Sequence, residues 1–127
     1  MKVMGPSPHV LVVDDEVAVC ETVAAVLSAH AYTVFQANTA ADALAILNST
    51  HIDLVVLDVE IGEEPGLELL VKIKEAHPSI RVVMLTGRGY DEQTLQAALS
   101  RGAIGYLSKA LPPMHLLMEV DRWLRFY

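Results

Sequence analysis

The sequence predicts an α/β protein, a doubly wound five-stranded parallel sheet with helices on both faces. Two observations carry this. Short β-branched runs alternate five times with longer segments of helical periodicity. The runs are apolar at nearly every position, as strands buried on both faces must be, and parallel sheets are built from such strands. Right-handed crossovers then distribute the helices over both sides. The chain has 127 residues, 53% hydrophobic and 20% charged, which fits one folded domain.

His9–Asp14 (HVLVVD) reads as the first strand and ends in acid. Glu16–Ala29 follows as a helix, with Val19, Val23, Val26 and Leu27 at helical spacing. Thr33–Gln36 is a short second strand, and alanine-rich Ala40–Asn48 a second helix with Leu44 and Leu47 on one side. Asp53–Leu57 is the third strand, and it too runs into acid, Asp58. The helix Gly66–Ala76 stops before Pro78, because a residue preceding proline disfavours the α region. Ile80–Leu85 is the fourth strand, and Asp91–Arg101 a helix that Gly102 terminates. Ile104–Leu107 is the fifth strand. The last helix starts near Pro112–Pro113, since proline suits a first turn, and runs towards Tyr127.

Residues 1–8 read as an N-terminal extension and 9–127 as the domain. Met1–Pro8 holds two prolines and no signal-peptide pattern, and no apolar run approaches the ~20 residues of a membrane span. The single Cys20 cannot form an internal disulfide. It reads as a small core thiol, and nothing around it marks a reactive nucleophile. A cytoplasmic setting is expected. A net charge of −7 opposes nucleic-acid binding by this domain but suits a metal cation or a basic partner surface. The five histidines lack metal-ligand spacing and read as surface or loop residues.

In such sheets the site lies beyond the carboxyl ends of the strands. The first strand delivers Asp14, Asp15 and Glu16 to that rim, the third Asp58 and Glu60, the fourth Thr86 and the fifth Lys109. Two like charges about 4 Å apart cost roughly 4 kcal/mol at an effective dielectric near 20, so the acids need raised pKa values or a cation. Oxygen ligands without His or Cys select Mg²⁺ or a similar ion. Asp58 is then a plausible carboxylate nucleophile for a phosphoryl group, with Lys109 and the Thr86 hydroxyl facing its oxygens. Each piece alone is ordinary. A strand-end Asp often caps a helix, and a lone Thr or Lys is usually structural. Their joint occurrence at successive strand ends is the specific signal.

These motifs resemble the receiver domain of two-component response regulators. The carriers are LVVDDE (Leu11–Glu16), LVVLD (Leu54–Asp58), PGLELL (Pro65–Leu70), VVMLTG (Val82–Gly87) and GAIGYLSK (Gly102–Lys109). The resemblance implies a flavodoxin-like (βα)5 fold with strand order 2-1-3-4-5. It implies that Asp58 accepts a phosphoryl group from a phosphohistidine of a sensor histidine kinase or histidine phosphotransfer protein. It further implies that Asp14, Asp15, Asp58 and the Glu60 backbone carbonyl hold Mg²⁺ or Mn²⁺. Lys109 would pair with the phosphoryl oxygens. Thr86 and Tyr106 would be the switch pair, although Tyr106 read alone is an ordinary half-buried strand aromatic. The output face, and a homodimer contact, would lie on helix 4, strand 5 and helix 5. Such a domain acts on its own phosphorylation and is not a turnover enzyme.

Four positions depart from the family pattern. Ala110 replaces the proline usual after the lysine, where a cis bond is common, so a trans bond or a strained turn is expected. Gly62 replaces a common proline and Pro65 a polar residue, so the acidic loop Glu60–Pro65 is expected to be mobile. Ala31 sits at a helix end that more often carries Gly. Glu60 is either a solvated loop acid or a side chain over the site that modulates metal or water, with Arg88 as a second modulator. The main alternative function is a degenerate receiver, an interaction module that works without phosphorylation. An Asp-nucleophile phosphatase would need a second acid and a cap, and a flavin module a phosphate loop after the first strand, and neither pattern is read in this sequence.

Overall fold

Three apolar runs are buried along almost their whole length, Val10–Val13, Leu54–Leu57 and Val82–Leu85. They form the inner strands of the sheet. The computed structural model describes residues 7–87, 89 and 91–125. In chain order its strands are β1 (His9–Val13), β2 (Thr33–Ala37), β3 (Leu54–Asp58), the two-residue β4 (Glu60–Ile61) and β5 (Glu64–Pro65), β6 (Arg81–Thr86) and β7 (Gly105–Ser108). The main sheet runs β2-β1-β3-β6-β7 with all four pairings parallel, which is the expected 2-1-3-4-5 arrangement.

Side chains along each inner strand alternate between two apolar layers, as the strand period of two requires. Leu11, Val13, Val55, Leu57, Val82 and Met84 face α2 (Ala40–Ser49), α3 (Gly66–Ala76) and α4 (Glu92–Ser100). Val10, Val12, Leu54, Val56, Val83 and Leu85 face α1 (Val17–Ala29) and α5 (Pro113–Leu124). Cys20 lies in this second layer, fully buried, as a core thiol should. On α5, Leu116, Leu117 and Val120 are buried while Met114 and Met118 are exposed. Phe126 and Tyr127, towards which the sequence runs this helix, lie outside the described residues.

Helix ends follow local chemistry. The Thr39 hydroxyl accepts from Asp42 N–H at the start of α2, and the Asp91 carboxylate from Gln93 N–H at the start of α4. Helix α1 ends in a Schellman arrangement: Ala31 N–H donates to Ser28 O and Tyr32 N–H to Leu27 O. Ala31 has φ +70°, so alanine occupies a left-handed position that favours glycine. Tyr32 OH donates to Asp121, and the Arg125 guanidinium stacks 4.1 Å from the Tyr32 ring, which ties the end of α5 to this corner.

Two of the departures from the family pattern take definite shapes. The loop after Asp58 forms a short hairpin. Its strands β4 and β5 pair antiparallel, and Gly62 takes φ +62° at the turn. Gly66 N–H closes it by donating to Val59 O at 2.6 Å. The turn after Lys109 is trans, as no described peptide bond is cis. Ala110 N–H, which a proline would lack, donates to Ser108 Oγ at 3.1 Å and shapes that turn.

Candidate functional site

The carboxyl ends of β1, β3, β6 and β7 bring Asp14, Asp58, Thr86 and Lys109 to one rim of the sheet. Asp14 and Asp58 are 0% and 4% exposed, unusual for acids and costly unless they are paired. Lys109 Nζ supplies the pairing. It lies 2.7 Å from Asp14 Oδ2, 3.0 Å from Asp58 Oδ2 and 3.1 Å from Glu16 Oε1. Lys109 is held for this by its own N–H, which donates to Thr86 O at 2.8 Å across the β6–β7 edge. Its aim therefore survives the Ala110 departure.

Backbone groups take the remaining carboxylate oxygens. Glu60 N–H donates to Asp58 Oδ1 at 3.1 Å, and Glu16 N–H to Asp14 Oδ1 at 2.9 Å. Gly66 makes the first of these turns feasible. A Cβ there would overlap the Asp58 carbonyl oxygen and stand 2.9 Å from that of Val59.

Burial pushes the Asp58 carboxyl up to about 6, and the nearby charge of Asp14 adds to this. The Glu60 N–H and Lys109 oppose it. For Lys109, burial alone would lower the ammonium, but the carboxylates of Asp14 and Asp58 outweigh it and hold the ammonium above its ordinary value. Asp14, Asp15 and Asp58 each present an oxygen within 4.8 Å of one another, a group that could hold a metal ion. Among the described residues one ammonium faces four carboxylates on the rim, and the donors are all hard oxygens. Both properties fit Mg²⁺.

A cavity of about 150 Å³ opens beside Asp58. Its lining includes Glu60, Thr86, Tyr106, Asp91 and Thr94. Thr86 is buried and Tyr106 half-buried, on neighbouring strands. The Glu60 side chain is exposed at the cavity's edge. Arg88 lies outside the described residues. An apolar groove of about 230 Å³ runs from Lys109 between α1 and α5, past Val19, Leu107, Leu111 and Leu116.

Sequence reasoning missed three participants. Asp91 and Thr94 read only as a helix start, although an Asp-x-x-Thr opening was visible. Asn38 donates through Nδ2 to Asp14 O at 2.8 Å, and no local pattern marks it. Glu16 reads as one of the rim acids, but its pairing with Lys109 is not evident from the sequence.

A parallel sheet of this order is a flavodoxin-like fold, and its carboxyl edge carries an acid group opposite a lysine. The response regulator receiver domain model matches residues 10–121. The regulatory protein VanR of Enterococcus faecium is 34% identical over 121 residues, which cover 95% of this chain and 52% of VanR. The solved receiver domain of NtrX from Brucella abortus aligns with a TM-score of 0.86 and 36% identity, over 93% of this chain and 99% of that one. A Burkholderia pseudomallei response regulator, solved with a phosphorylated aspartic acid, calcium ion and citrate, aligns with a TM-score of 0.83 and 27% identity, over 94% of this chain and 67% of that one. The chain belongs to the response regulator receiver domain family. It spans about half the length of VanR and a quarter of the length of another curated relative, GlrR of Escherichia coli. Among the described residues, no helix is long and apolar enough to cross a membrane.

Proposed function

We propose that the chain accepts a phosphoryl group on Asp58 from a phosphohistidine of a sensor histidine kinase or a histidine phosphotransfer protein. The observation that carries this is the placement of Asp58, buried at a strand end, 3.0 Å from Lys109 and grouped with Asp14 and Asp15. The phosphorylated aspartic acid of the Burkholderia pseudomallei relative supports it. An Asp58 carboxylate oxygen attacks phosphorus, the P–N bond breaks, and the departing imidazole takes up a proton. The product is an acyl phosphate. Lys109, paired with Asp14 in this state, would follow the phosphoryl oxygens, and Thr86, which lines the cavity beside Asp58, would donate its hydroxyl to them.

Asp14, Asp15, Asp58 and the Glu60 backbone carbonyl would hold Mg²⁺ or Mn²⁺. When bound, the ion would offset the charge gathered on the phosphoryl oxygens. The groove beside Lys109, with exposed Val17 and Leu111 nearby, offers the phosphodonor an apolar seat. Thr86 and Tyr106 would couple the event to α4, β7 and α5. Exposed Leu99, Met114 and Met118 on these helices suit a homodimer or an output partner. Glu60 and Arg88 would tune water access. The domain, residues 9–127, would act in the cytoplasm, bind no nucleic acid itself and turn over no separate substrate.

Incubation with acetyl phosphate and Mg²⁺ tests this. The expected result is a gain of one phosphoryl mass, absent in Asp58→Asn and without Mg²⁺. The degenerate alternative predicts no gain, either with acetyl phosphate or with a cognate kinase.

A further inference from the structure

The peptide unit between Asp14 and Asp15 joins two of the three acids that could hold a metal. Its planarity means that fixing the Asp14 carbonyl also fixes the direction in which the chain enters Asp15. Two donors converge on that carbonyl oxygen. Asn38 Nδ2 reaches it at 2.8 Å from the turn after β2, and Cys20 Sγ at 3.4 Å from the first turns of α1. Asn38 Nδ2 also points at Cys20 Sγ, 3.5 Å away, so the two donors brace each other. The other polar group of the same backbone residue, Asp14 N–H, donates to Ala37 O at 3.1 Å. The end of β2 thus grips both sides of Asp14.

The Asp14 carboxylate has its own supports in Glu16 N–H and Lys109. Asp15 is exposed, so the aim of its carboxylate follows mainly from its backbone. We propose that Asn38 and Cys20 are positioning residues for the metal site, locking the Asp14–Asp15 peptide so that both carboxylates face one ion. The inference rests on the Mg²⁺ reading above. Mg²⁺ demands near-ideal octahedral geometry, so a small tilt of this peptide is felt at the ion. Loss of a supporting partner behind metal ligands typically weakens affinity about 10–100-fold. Cys20 serves as a donor through its S–H, 3.4 Å from the Asp14 carbonyl oxygen.

The experiment is a Mn²⁺ titration of the full chain, with free Mn²⁺ read by electron paramagnetic resonance and melting followed in parallel. Asn38→Ala is compared with Thr39→Ala, which removes the α2 cap one residue away without touching Asp14. The expected result is about tenfold weaker Mn²⁺ binding for Asn38→Ala, with Thr39→Ala melting lower yet binding as wild type does. Wild-type affinity in both variants overturns the positioning role and leaves the metal site standing. No binding by the wild-type chain overturns both. Should Asn38→Ala not fold, the Cys20 pair decides. Cys20→Ala binding several-fold more weakly while Cys20→Ser, which keeps a donor, binds normally supports the inference. Equal, wild-type affinities overturn it.

Discussion

Asp58 and Lys109, 51 positions apart in the chain, meet at 3.0 Å at the carboxyl edge of the sheet. The same ammonium also holds Asp14 and Glu16, so it is the main charge that keeps this acid group together. Lys109→Gln should therefore cost about 3–5 kcal/mol in the absence of Mg²⁺, as expected when one partner leaves a buried ion pair. Saturating Mg²⁺ should recover part of that loss, because a bound cation replaces the missing charge. Urea unfolding with and without Mg²⁺ measures both.

Asp58→Asn should act in the opposite direction. The folded carboxyl titrates near 6, against an ordinary value of 3.8. The folded state therefore holds a proton that the unfolded chain has lost, and stability falls as pH rises between these values. Above about pH 6 the penalty is complete. The side-chain amide introduced by the substitution can still accept from Glu60 N–H, and Lys109 keeps Asp14 and Glu16. The variant should be about 1–3 kcal/mol more stable than wild type at about pH 7.5 without Mg²⁺. The advantage should shrink towards zero below about pH 4. Denaturant unfolding across this pH range checks the sign.

Ala31→Gly should stabilise the fold. Ala31 holds φ +70° in the Schellman turn that ends α1, and glycine takes that conformation without steric cost. A gain of about 0.5–1 kcal/mol is expected, visible as a higher melting temperature.

Gly66→Ala should be damaging out of proportion to one methyl group. The added carbon would overlap the carbonyl of Asp58, the residue proposed as acceptor. A loss of about 2–4 kcal/mol is expected. Phosphoryl uptake should slow even at temperatures where the variant remains folded, because relief requires the Asp58 backbone to move.

Much of this was legible in the sequence. The three inner strands announce themselves because Val10–Val13, Leu54–Leu57 and Val82–Leu85 are apolar on both faces, and only a doubly covered sheet buries such runs. Asp58, Asp14 and Lys109 could be placed because strand ends map onto one rim. Ala31 stood out at its helix end, and its left-handed φ shows why that position more often carries Gly. The hairpin at Glu60–Pro65 was not visible, since two residues per strand leave no periodicity to read. The Ala110 turn was open because its hydrogen bond comes from the Ser108 side chain rather than from a backbone rule. Asn38 was invisible because its role depends on β2 lying beside β1, a tertiary fact that no local pattern encodes.

The phosphoryl bond is proposed to form on the carboxylate of Asp58. Borohydride reduction of the phosphorylated chain, followed by peptide mapping, reads this directly, since an acyl phosphate is reduced to the alcohol and leaves homoserine at the acceptor. Homoserine is expected at position 58 alone. Homoserine at Asp14 or Asp15 with position 58 intact, or a phosphoryl group carried by a histidine, would contradict it.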